Sequence, residues 1–271
     1  MNEEDDLSPA RIRSMLRAAR YGQSCDVKEV TDSTNDDARK AASEGAPDGH
    51  VVVANQQRRG RGSRGREWSS PRGEDLYLSV VAHVALAPRD LSPLTLAAGL
   101  AVAETADVFT SRRVRAEVKW PNDVWLQARK VAGILVETAS VGSESLPAVI
   151  GIGLNVNRTE FPAGFDTEAT SLCCARGGEK VDRGQVLATL LERLEHWVDR
   201  FLFEGPAPVI AAMSQRLALR GQPVWCDDKQ GILDGLTAAG ALRLQTHEGP
   251  REVCSGRLRA ALQTDSACKP P

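Results

Sequence analysis

Residues 57–68 crowd five arginines and three glycines into one short segment, which fixes a loop at this point of any fold. Glycine has no Cβ atom, so backbone N–H groups in such a loop can approach a ligand closely and adopt positive φ. Arginine adds planar, permanently charged donors that match phosphate or carboxylate oxygens two at a time. A strand-like run precedes the segment and a tryptophan closes it, which favours a polyanion-binding loop. The alternative is an ordinary arginine-rich surface loop, or a disordered segment that binds RNA.

The composition indicates a soluble protein with one large domain and one small one. At 271 residues the chain exceeds an average domain, and its 42% hydrophobic residues can bury a substantial core. The formal net charge is −2, so positive charge is concentrated in the loop and is not spread over a nucleic-acid-binding surface. An aromatic content of 4% also counts against stacking on nucleic acid.

Several features predict a cytoplasmic protein. The six cysteines show no C-x-x-C spacing, which is typical of reduced, dispersed thiols. The acidic start M-N-E-E-D-D has no signal-peptide character, and no apolar run is long enough to cross a bilayer.

Ser8-Pro9 is expected to open a short helix to about Arg20, with Ile12, Met15, Leu16 and Ala19 facing inward. The residues before the first strand are too few for a helix-turn-helix domain.

A polar triplet stands at the first predicted strand-to-helix turn. Ser33, Thr34 and Asn35 follow a strand-like run at 25–30 and precede a helix that ends at Gly45. One of the three suffices as the N-cap, and capping alone is the simpler interpretation. The functional interpretation is that the remaining hydroxyl and amide groups are available to a polar ligand.

A second polar cluster lies in a predicted hairpin at 118–126. There Lys119, Asn122 and Asp123 offer a cation, an amide and a carboxylate, which could hold a phosphate with its Mg²⁺ or orient a nucleophile. The alternative is a simple tight turn. Lys130 begins the next strand, 130–137, in which Gly133 permits close backbone approach. Lys130 could stabilise a developing anion, although most such lysines extend to solvent.

The rest of the chain predicts further strands, helices and a small C-terminal barrel. Additional strands are expected at 51–55, 76–86 (with His83 as a structural residue) and 148–157, and helices at 92–109, 181–204 and 208–220. Gly151, Gly153 and Asn155 are expected on one face of the strand 148–157. Four short strands at 222–226, 231–236, 241–246 and 251–258 indicate the barrel, followed by a disordered tail after 263.

Five motifs in this order resemble those of biotin–protein ligases, also called biotin–[acetyl-CoA-carboxylase] ligases. The resemblance extends over residues 25–260, and its motifs are D-S-T-N at 32–35, Q-R-R-G-R-G-S-R-G-R-E-W at 57–68, K-W-P-N-D at 119–123, K-V-A-G-I-L-V-E at 130–137 and G-I-G-L-N-V-N at 151–157. Some family members carry an N-terminal DNA-binding domain, and this chain is similar to the short form without it.

The resemblance implies an α+β fold like the catalytic domains of class II aminoacyl-tRNA synthetases, a mixed sheet flanked by helices. It implies a helical segment at 1–24, a catalytic domain at 25–220, an SH3-like β-barrel domain at 221–263 and a tail at 264–271. The implied reaction uses ATP and Mg²⁺ to convert biotin into biotinyl-5′-AMP, and then transfers biotin to a lysine of a biotin carboxyl carrier domain. The enzyme would be a monomer or homodimer that binds neither DNA nor membrane.

The resemblance also assigns roles to residues. Ser33, Thr34, Asn35 and Gly133 would bind biotin, and Gln57, Arg61, Gly62 and Ser63 would contact biotin and the adenylate phosphate. Lys130 would hold the biotin carboxylate, and Arg66 would share in catalysis. Arg64, Trp68, Lys119, Asn122 and Asn155 would surround the nucleotide, with the metal held through phosphates and its protein ligands unassigned. Ser63 departs from members with arginine there, and Asp123 as the group that orients the acceptor lysine is a separate hypothesis.

Two rival interpretations stay open at this point. A lipoate–protein ligase has a similar fold and chemistry, although the arginine–glycine loop together with K-W-P-N-D favours biotin. A nucleic-acid-binding or regulatory module would use the basic loop alone, against which the net charge and the aromatic content both argue.

Overall fold

The computed structural model of the chain describes residues 7–84, 91–110, 114–138, 147–161 and 168–261. Its helices are α1 (Pro9–Met15), α2 (Thr34–Ser43), α3 (Leu91–Phe109), α4 (Leu172–Ala175), α5 (Arg183–Glu204) and α6 (Ala207–Ser214). Its strands are β1 (Cys25–Lys28), β2 (Val51–Ala54), β3 (Leu76–Ala82), β4 (Glu117–Lys119), β5 (Asp123–Leu126), β6 (Arg129–Thr138), β7 (Ala148–Leu154), β8 (Pro223–Cys226), β9 (Lys229–Leu236), β10 (Leu242–Thr246), β11 (Gly249–Val253) and β12 (Leu258–Ala260).

The main element of the fold is a seven-stranded mixed sheet in the order β1-β2-β3-β7-β6-β5-β4. Only β1 and β2 run parallel, because α2 provides the crossover between them. Every other neighbouring pair in this sheet is antiparallel. The expected α+β class with a mixed sheet flanked by helices is confirmed.

The two faces of this sheet differ because side chains alternate along each strand. One face of β7 presents Ile150, Ile152 and Leu154 to the large core that α3 and α5 cover. The opposite face presents Val149 to α2, and then only the two glycines Gly151 and Gly153. The second face is therefore apolar under α2 and open beyond it.

A five-stranded antiparallel sheet follows the helices, in the order β11-β10-β9-β8-β12. Its apolar residues, among them Val224, Leu233 and Leu242, belong to the same continuous core cluster as the main sheet. The indole Nε1 of Trp120 donates to the carbonyl of Gly240 at 3.0 Å and fixes this sheet against the turn after β4. Where the sequence predicted a fourth strand over 251–258, the structure has two, β11 and β12, because the chain turns at 254–257.

Other element boundaries also differ from the predictions. The first helix ends at Met15 and not at Arg20, which leaves Ala18 buried and Ala19 exposed. Strand β3 ends at Ala82, so His83 lies just outside it. The sixth helix ends at Ser214, short of Arg220. The predicted tail after 263 and strand residues 85–86 lie outside the described residues. Among the described helices, none has the length and apolar character needed to cross a bilayer.

Candidate active site

A cavity of about 1030 Å³ lies on the glycine-bearing face of the main sheet, beyond the start of α2. Residues from the loop, α2, β4 to β7 and the C-terminal sheet all reach it. Its wall contains every side chain or glycine selected from the sequence: Ser33, Thr34, Asn35, Gln57, Arg61, Gly62, Ser63, Arg64, Arg66, Trp68, Lys119, Asn122, Asp123, Lys130, Gly133 and Asn155. The fold thus brings five dispersed motifs together around one space.

One end of the cavity is lined by hydroxyl and amide groups. The Oε1 atom of Gln57 accepts the main-chain N–H of Thr34 at 2.9 Å and its hydroxyl at 3.2 Å. The loop therefore caps α2 with Gln57, since the side chain of Ser33 makes no capping hydrogen bond. Buried Ser79 lies 2.8 Å from the Thr34 hydroxyl and completes this network. Ser33 thus occupies the N-cap position, one of the three residues expected there, but its hydroxyl makes no capping hydrogen bond.

Asn35 is fully engaged by the protein. Its Nδ2 donates to Glu137 Oε2 at 2.8 Å, and its Oδ1 accepts from Ser79 Oγ at 2.6 Å. A Cβ atom at Gly151 would lie 2.0 Å from Asn35 Oδ1, so the amide rests directly on β7. Asn35 therefore supports the polar end of the cavity through Ser79, which also contacts Thr34.

Trp68 lies flat across the centre of the cavity. Cβ atoms at Gly153 and Gly133 would come within 2.4 Å and 2.9 Å of its indole, and these two glycines face each other across β6 and β7. The paired glycines form a slot that the indole fills, and the Lys130 side chain also approaches it at Gly133. The Nε1 atom of Trp68 is buried without a hydrogen-bond partner among the described residues, as are those of Trp125 and Trp197.

The other end of the cavity is cationic. The ammonium group of Lys130 lies 2.6 Å from Asp123 Oδ1 and 5.2 Å from the centre of the Trp68 ring. Both side chains are mostly buried. Lys119 lies 5.1 Å from the centre of the Trp125 ring. Two lysines and one carboxylate thus share a partly desolvated wall, where charge interactions are stronger than in water.

The electrostatics of Lys119 show that this wall is short of negative charge. Burial lowers the pKa of Lys119 below its ordinary value, and the neighbouring cations Lys130, Arg257 and Arg66 lower it further. Asp123 acts in the opposite direction but does not offset these effects. An anionic ligand would relieve the repulsion, so this end of the cavity is suited to phosphate or carboxylate groups.

Two asparagines also belong to the cavity wall. Asn122 Nδ2 donates to the carbonyl of Ile134, and Asn155 Nδ2 donates to the carbonyl of Thr170, each at 2.9 Å. The remaining polar atom of each side chain is its amide oxygen. No three His, Cys, Asp or Glu side chains of the described residues cluster as a metal site. These residues fit a magnesium ion that is carried in by phosphates, and not a preformed metal cage.

The arginine–glycine loop is ordered by its own hydrogen bonds. The N–H of Gly62 donates to the carbonyl of Arg66 at 2.7 Å, and a short 3-10 turn spans Ser63–Gly65. The guanidinium of Arg66 folds back on Ser63, to its carbonyl at 3.3 Å and its hydroxyl at 3.2 Å. Ser63 is thus a hydrogen-bond partner of Arg66 in this chain. The side chains of Arg61, Arg64 and Arg66 each contact a different neighbour.

Residues 254–258, in the C-terminal sheet region, line one side of the cavity, and we call this segment the roof. Asp227, in the turn between β8 and β9, accepts the main-chain N–H of Arg257 at 2.8 Å. It also lies 3.4 Å from Nη1 of Arg64 in the loop. A Cβ atom at Gly256 would lie 2.4 Å from Cys226 Sγ, so the roof packs tightly on β8. The loop and the roof therefore meet through Asp227.

Sequence reasoning missed several residues that shape the site. Glu137 ends the motif K-V-A-G-I-L-V-E, but sequence reasoning assigned it no role. Buried Arg158, which lines the cavity, pairs with Asp75 at 2.8 Å and holds the carbonyl of Ser69 at 2.8 Å, next to Trp68. Ser79 was visible as the one polar residue in the run L-Y-L-S-V-V-A. For the roof there was no local signal, because only the tertiary fold brings it to the cavity.

A family model described as the biotin/lipoate A/B protein ligase family matches residues 27–155. The bifunctional ligase/repressor BirA of Escherichia coli is 34% identical to the chain over 228 residues, which are 83% of the chain and 70% of that protein. BirA of Bacillus subtilis is 30% identical over 258 residues, 93% of the chain and 78% of that protein. The chain belongs to the biotin/lipoate A/B protein ligase family.

Its relatives within the family include enzymes named for biotin. The biotin–[acetyl-CoA-carboxylase] ligase of Mycobacterium tuberculosis is 37% identical over 203 residues, 72% of the chain and 73% of that protein. Among solved structures, the biotin protein ligase from Aquifex aeolicus in complex with biotin and ATP superimposes with a TM-score of 0.75 at 30% identity. That match covers 88% of this chain and all of the other.

Proposed function

We propose that this chain is a biotin–protein ligase that joins biotin to a lysine of a carboxylase carrier domain. In the first step an oxygen of the biotin carboxylate attacks the α-phosphorus of ATP, and pyrophosphate leaves to give biotinyl-5′-AMP. In the second step the deprotonated ε-amine of the carrier lysine attacks the acyl carbon. The bond from that carbon to the phosphate oxygen breaks, and AMP leaves as the amide forms.

The observation that carries this proposal is the division of one cavity into a polar end, where the charge of Arg61 is offset by Asp36 and Glu137, and a cationic end. Biotin has the same division, with a ureido group at one end and a carboxylate at the other. Thr34, Gln57 and Ser33 offer hydroxyl and amide groups to the ureido end. Trp68 lies between the two ends and covers the apolar middle of the ligand.

Lys130 is the proposed catalytic residue of the first step. Two anions repel each other as the carboxylate approaches the α-phosphate, and a fixed cation offsets the charge that develops on the phosphate oxygens. Lys130 is held in position by Asp123 and by the face of Trp68. Lys119, Arg66 and Arg64 add positive charge along the same wall. Magnesium, when bound with ATP, neutralises part of the phosphate charge.

Water must be kept from the mixed anhydride between the two steps. The loop, Trp68 and the roof surround the cavity from three directions. Gly62 lets the loop backbone approach the ligand, and Gly133 makes room for the indole. A closed site of this kind protects an activated acyl group from hydrolysis.

Isotope exchange between pyrophosphate and ATP tests the first step directly. We expect exchange that depends on biotin and not on lipoate, and that falls about a hundredfold or more in Lys130→Ala, because a preorganised charge facing the transition state is lost. Lys180→Ala, a lysine outside the cavity wall, serves as the matched control and should leave exchange unchanged.

Two results would contradict the proposal in different ways. Exchange that depends on lipoate would make the chain a lipoate ligase, the sister activity of its family. No exchange with either acid, in a protein that binds single-stranded nucleic acid in a salt-sensitive way, would favour the binding-module interpretation.

A further inference from the structure

Glu137 connects three parts of the site without lining the cavity. It stands near the end of β6, with its side chain 24% exposed. Its Oε1 and Oε2 atoms accept from Nη1 and Nη2 of Arg61 at 3.1 Å and 2.8 Å. Oε2 also accepts from Asn35 Nδ2 at 2.8 Å. One carboxylate thus links the arginine–glycine loop, α2 and the sheet.

The pair formed by Glu137 and Arg61 uses the strongest geometry available to these two side chains. Two parallel N–H···O bonds between a guanidinium and a carboxylate fix both orientation and distance. Arg61 Nη2 has a second carboxylate partner, Asp36 Oδ1, at 2.9 Å. Partial burial weakens the competition from water that makes exposed pairs ineffective.

These contacts change the role that Arg61 can have. Both terminal nitrogens of its guanidinium are occupied by carboxylates, and only Nε is without a partner among the described residues. Of its five N–H groups, Nε–H and one N–H of Nη1 are left, and these two point to different edges of the guanidinium, so they cannot hold a phosphate as a two-pronged pair does. The positive charge that faces the nucleotide must then come from Lys130, Lys119, Arg64 and Arg66.

We propose that Glu137 is a positioning residue of the active site. It holds the arginine–glycine loop in its closed position through Arg61, and it fixes the polar end of the cavity through Asn35. Arg61 then acts on biotin through the loop that it anchors and does not contact the phosphates of ATP. This inference rests on the proposed biotin-ligase function and adds a residue for which the reaction itself assigns no role.

A double-mutant cycle on the purified full chain tests the inference, with biotin-dependent pyrophosphate exchange as the assay. We expect Arg61→Ala and Glu137→Ala each to raise the KM for biotin about tenfold, and the double variant to raise it no further, because the two side chains act as one unit. The KM for ATP should change less than about twofold in all three. Glu137→Gln, which keeps an acceptor for Asn35 but loses the charge, should lie between wild type and Glu137→Ala.

Glu179→Ala is the matched control, because Glu179 also pairs with an arginine, Arg176 at 2.8 Å, but lies away from the cavity. Its kinetics should equal those of wild type, and thermal melting should show every variant folded. Two results would overturn the inference: a KM for ATP raised by Arg61→Ala but not by Glu137→Ala, or additive effects on biotin in the double variant. If the wild-type chain itself shows no biotin-dependent exchange, the proposed function fails, which is a separate outcome.

Discussion

At the scale of single residues, the site depends on which charge pairs with which. Lys130 is paired with Asp123 at 2.6 Å. On the proposed function, the biotin carboxylate and the adenylate phosphate would compete with Asp123 for the ammonium group, which would leave Asp123 as an acceptor beside the acyl group. We therefore propose that Asp123 orients the amine of the carrier lysine and receives its proton in the second step.

Replacing Asp123 should separate the two steps. In Asp123→Ala we expect transfer of biotin from preformed adenylate to a carrier domain to slow about a hundredfold, the usual size of a lost general base. Pyrophosphate exchange should fall much less, because Lys130 and its charge remain. Single-turnover transfer and exchange are measured on the same protein, and Asp228→Ala controls for loss of a carboxylate outside the cavity. Transfer at the wild-type rate would eliminate this role for Asp123.

At the scale of strands and helices, the site exists because β6 and β7 place glycines opposite each other. Gly133 pairs with Gly153, and Trp68 lies over both. Glycine weakens a strand, so its repeated use in two central strands indicates that something must approach the backbone closely. In this fold that group is the indole, which forms the floor of the cavity.

A side chain at position 153 should displace the Trp68 indole from the glycine slot. A Cβ atom at residue 153 would lie 2.4 Å from Trp68 Cε2, closer than real contacts allow. We expect Gly153→Ala to lower pyrophosphate exchange about tenfold or more, because small displacements in a preorganised site are costly. Gly235→Ala is the control, since its nearest neighbour would be 3.6 Å away, in ordinary contact. Equal exchange rates in the two variants would show that the indole need not lie in the slot.

The sequence predicted the elements better than it predicted their ends. Alternating strands, turn residues and the spacing of apolar residues in α5 located most elements, because those signals are local. The first helix was predicted too long, because the backbone becomes extended at Leu16 and the next N–H groups, from Ala19 to Tyr21, donate to the Glu195 carboxylate on α5. Glu137 and the roof could not be assigned, because their importance depends on contacts with Arg61 and Arg64, far away along the chain. The domain boundaries, the oligomeric state and the cytoplasmic location stay predictions.

At the scale of the whole molecule, two sheets cooperate to enclose one cavity. The C-terminal sheet is fixed on one side by the hydrogen bond from Trp120 to Gly240 and meets the loop on the other side through Asp227. The N–H of Arg257 and the guanidinium of Arg64 lower the pKa of Asp227 below its usual range, so it is charged near neutral pH. Asp227 thus joins roof and loop by charge.

Loss of the contact between Asp227 and Arg64 should speed the release of bound biotinyl-5′-AMP. We expect Asp227→Ala to release bound biotinyl-5′-AMP about threefold faster at low salt, because an exposed ion pair has a small effect. High salt should speed release from the wild type towards the rate of the variant, since salt screens exposed charges. The off-rate is measured by chasing preformed adenylate with unlabelled biotin, with Asp228→Ala as the control from the same turn. Identical off-rates at low salt would exclude the contact as a closing element.

The position of the roof in the chain has a consequence for biosynthesis. Every other residue of the cavity wall precedes position 170, whereas the roof begins at residue 254. A ribosome therefore delivers the floor, the loop and the lysines before the roof. On the proposed function, a nascent chain that has reached only the helices would hold the cationic residues of the site without the segment that encloses the mixed anhydride. We therefore expect retention of biotinyl-5′-AMP to begin only when translation has passed the roof.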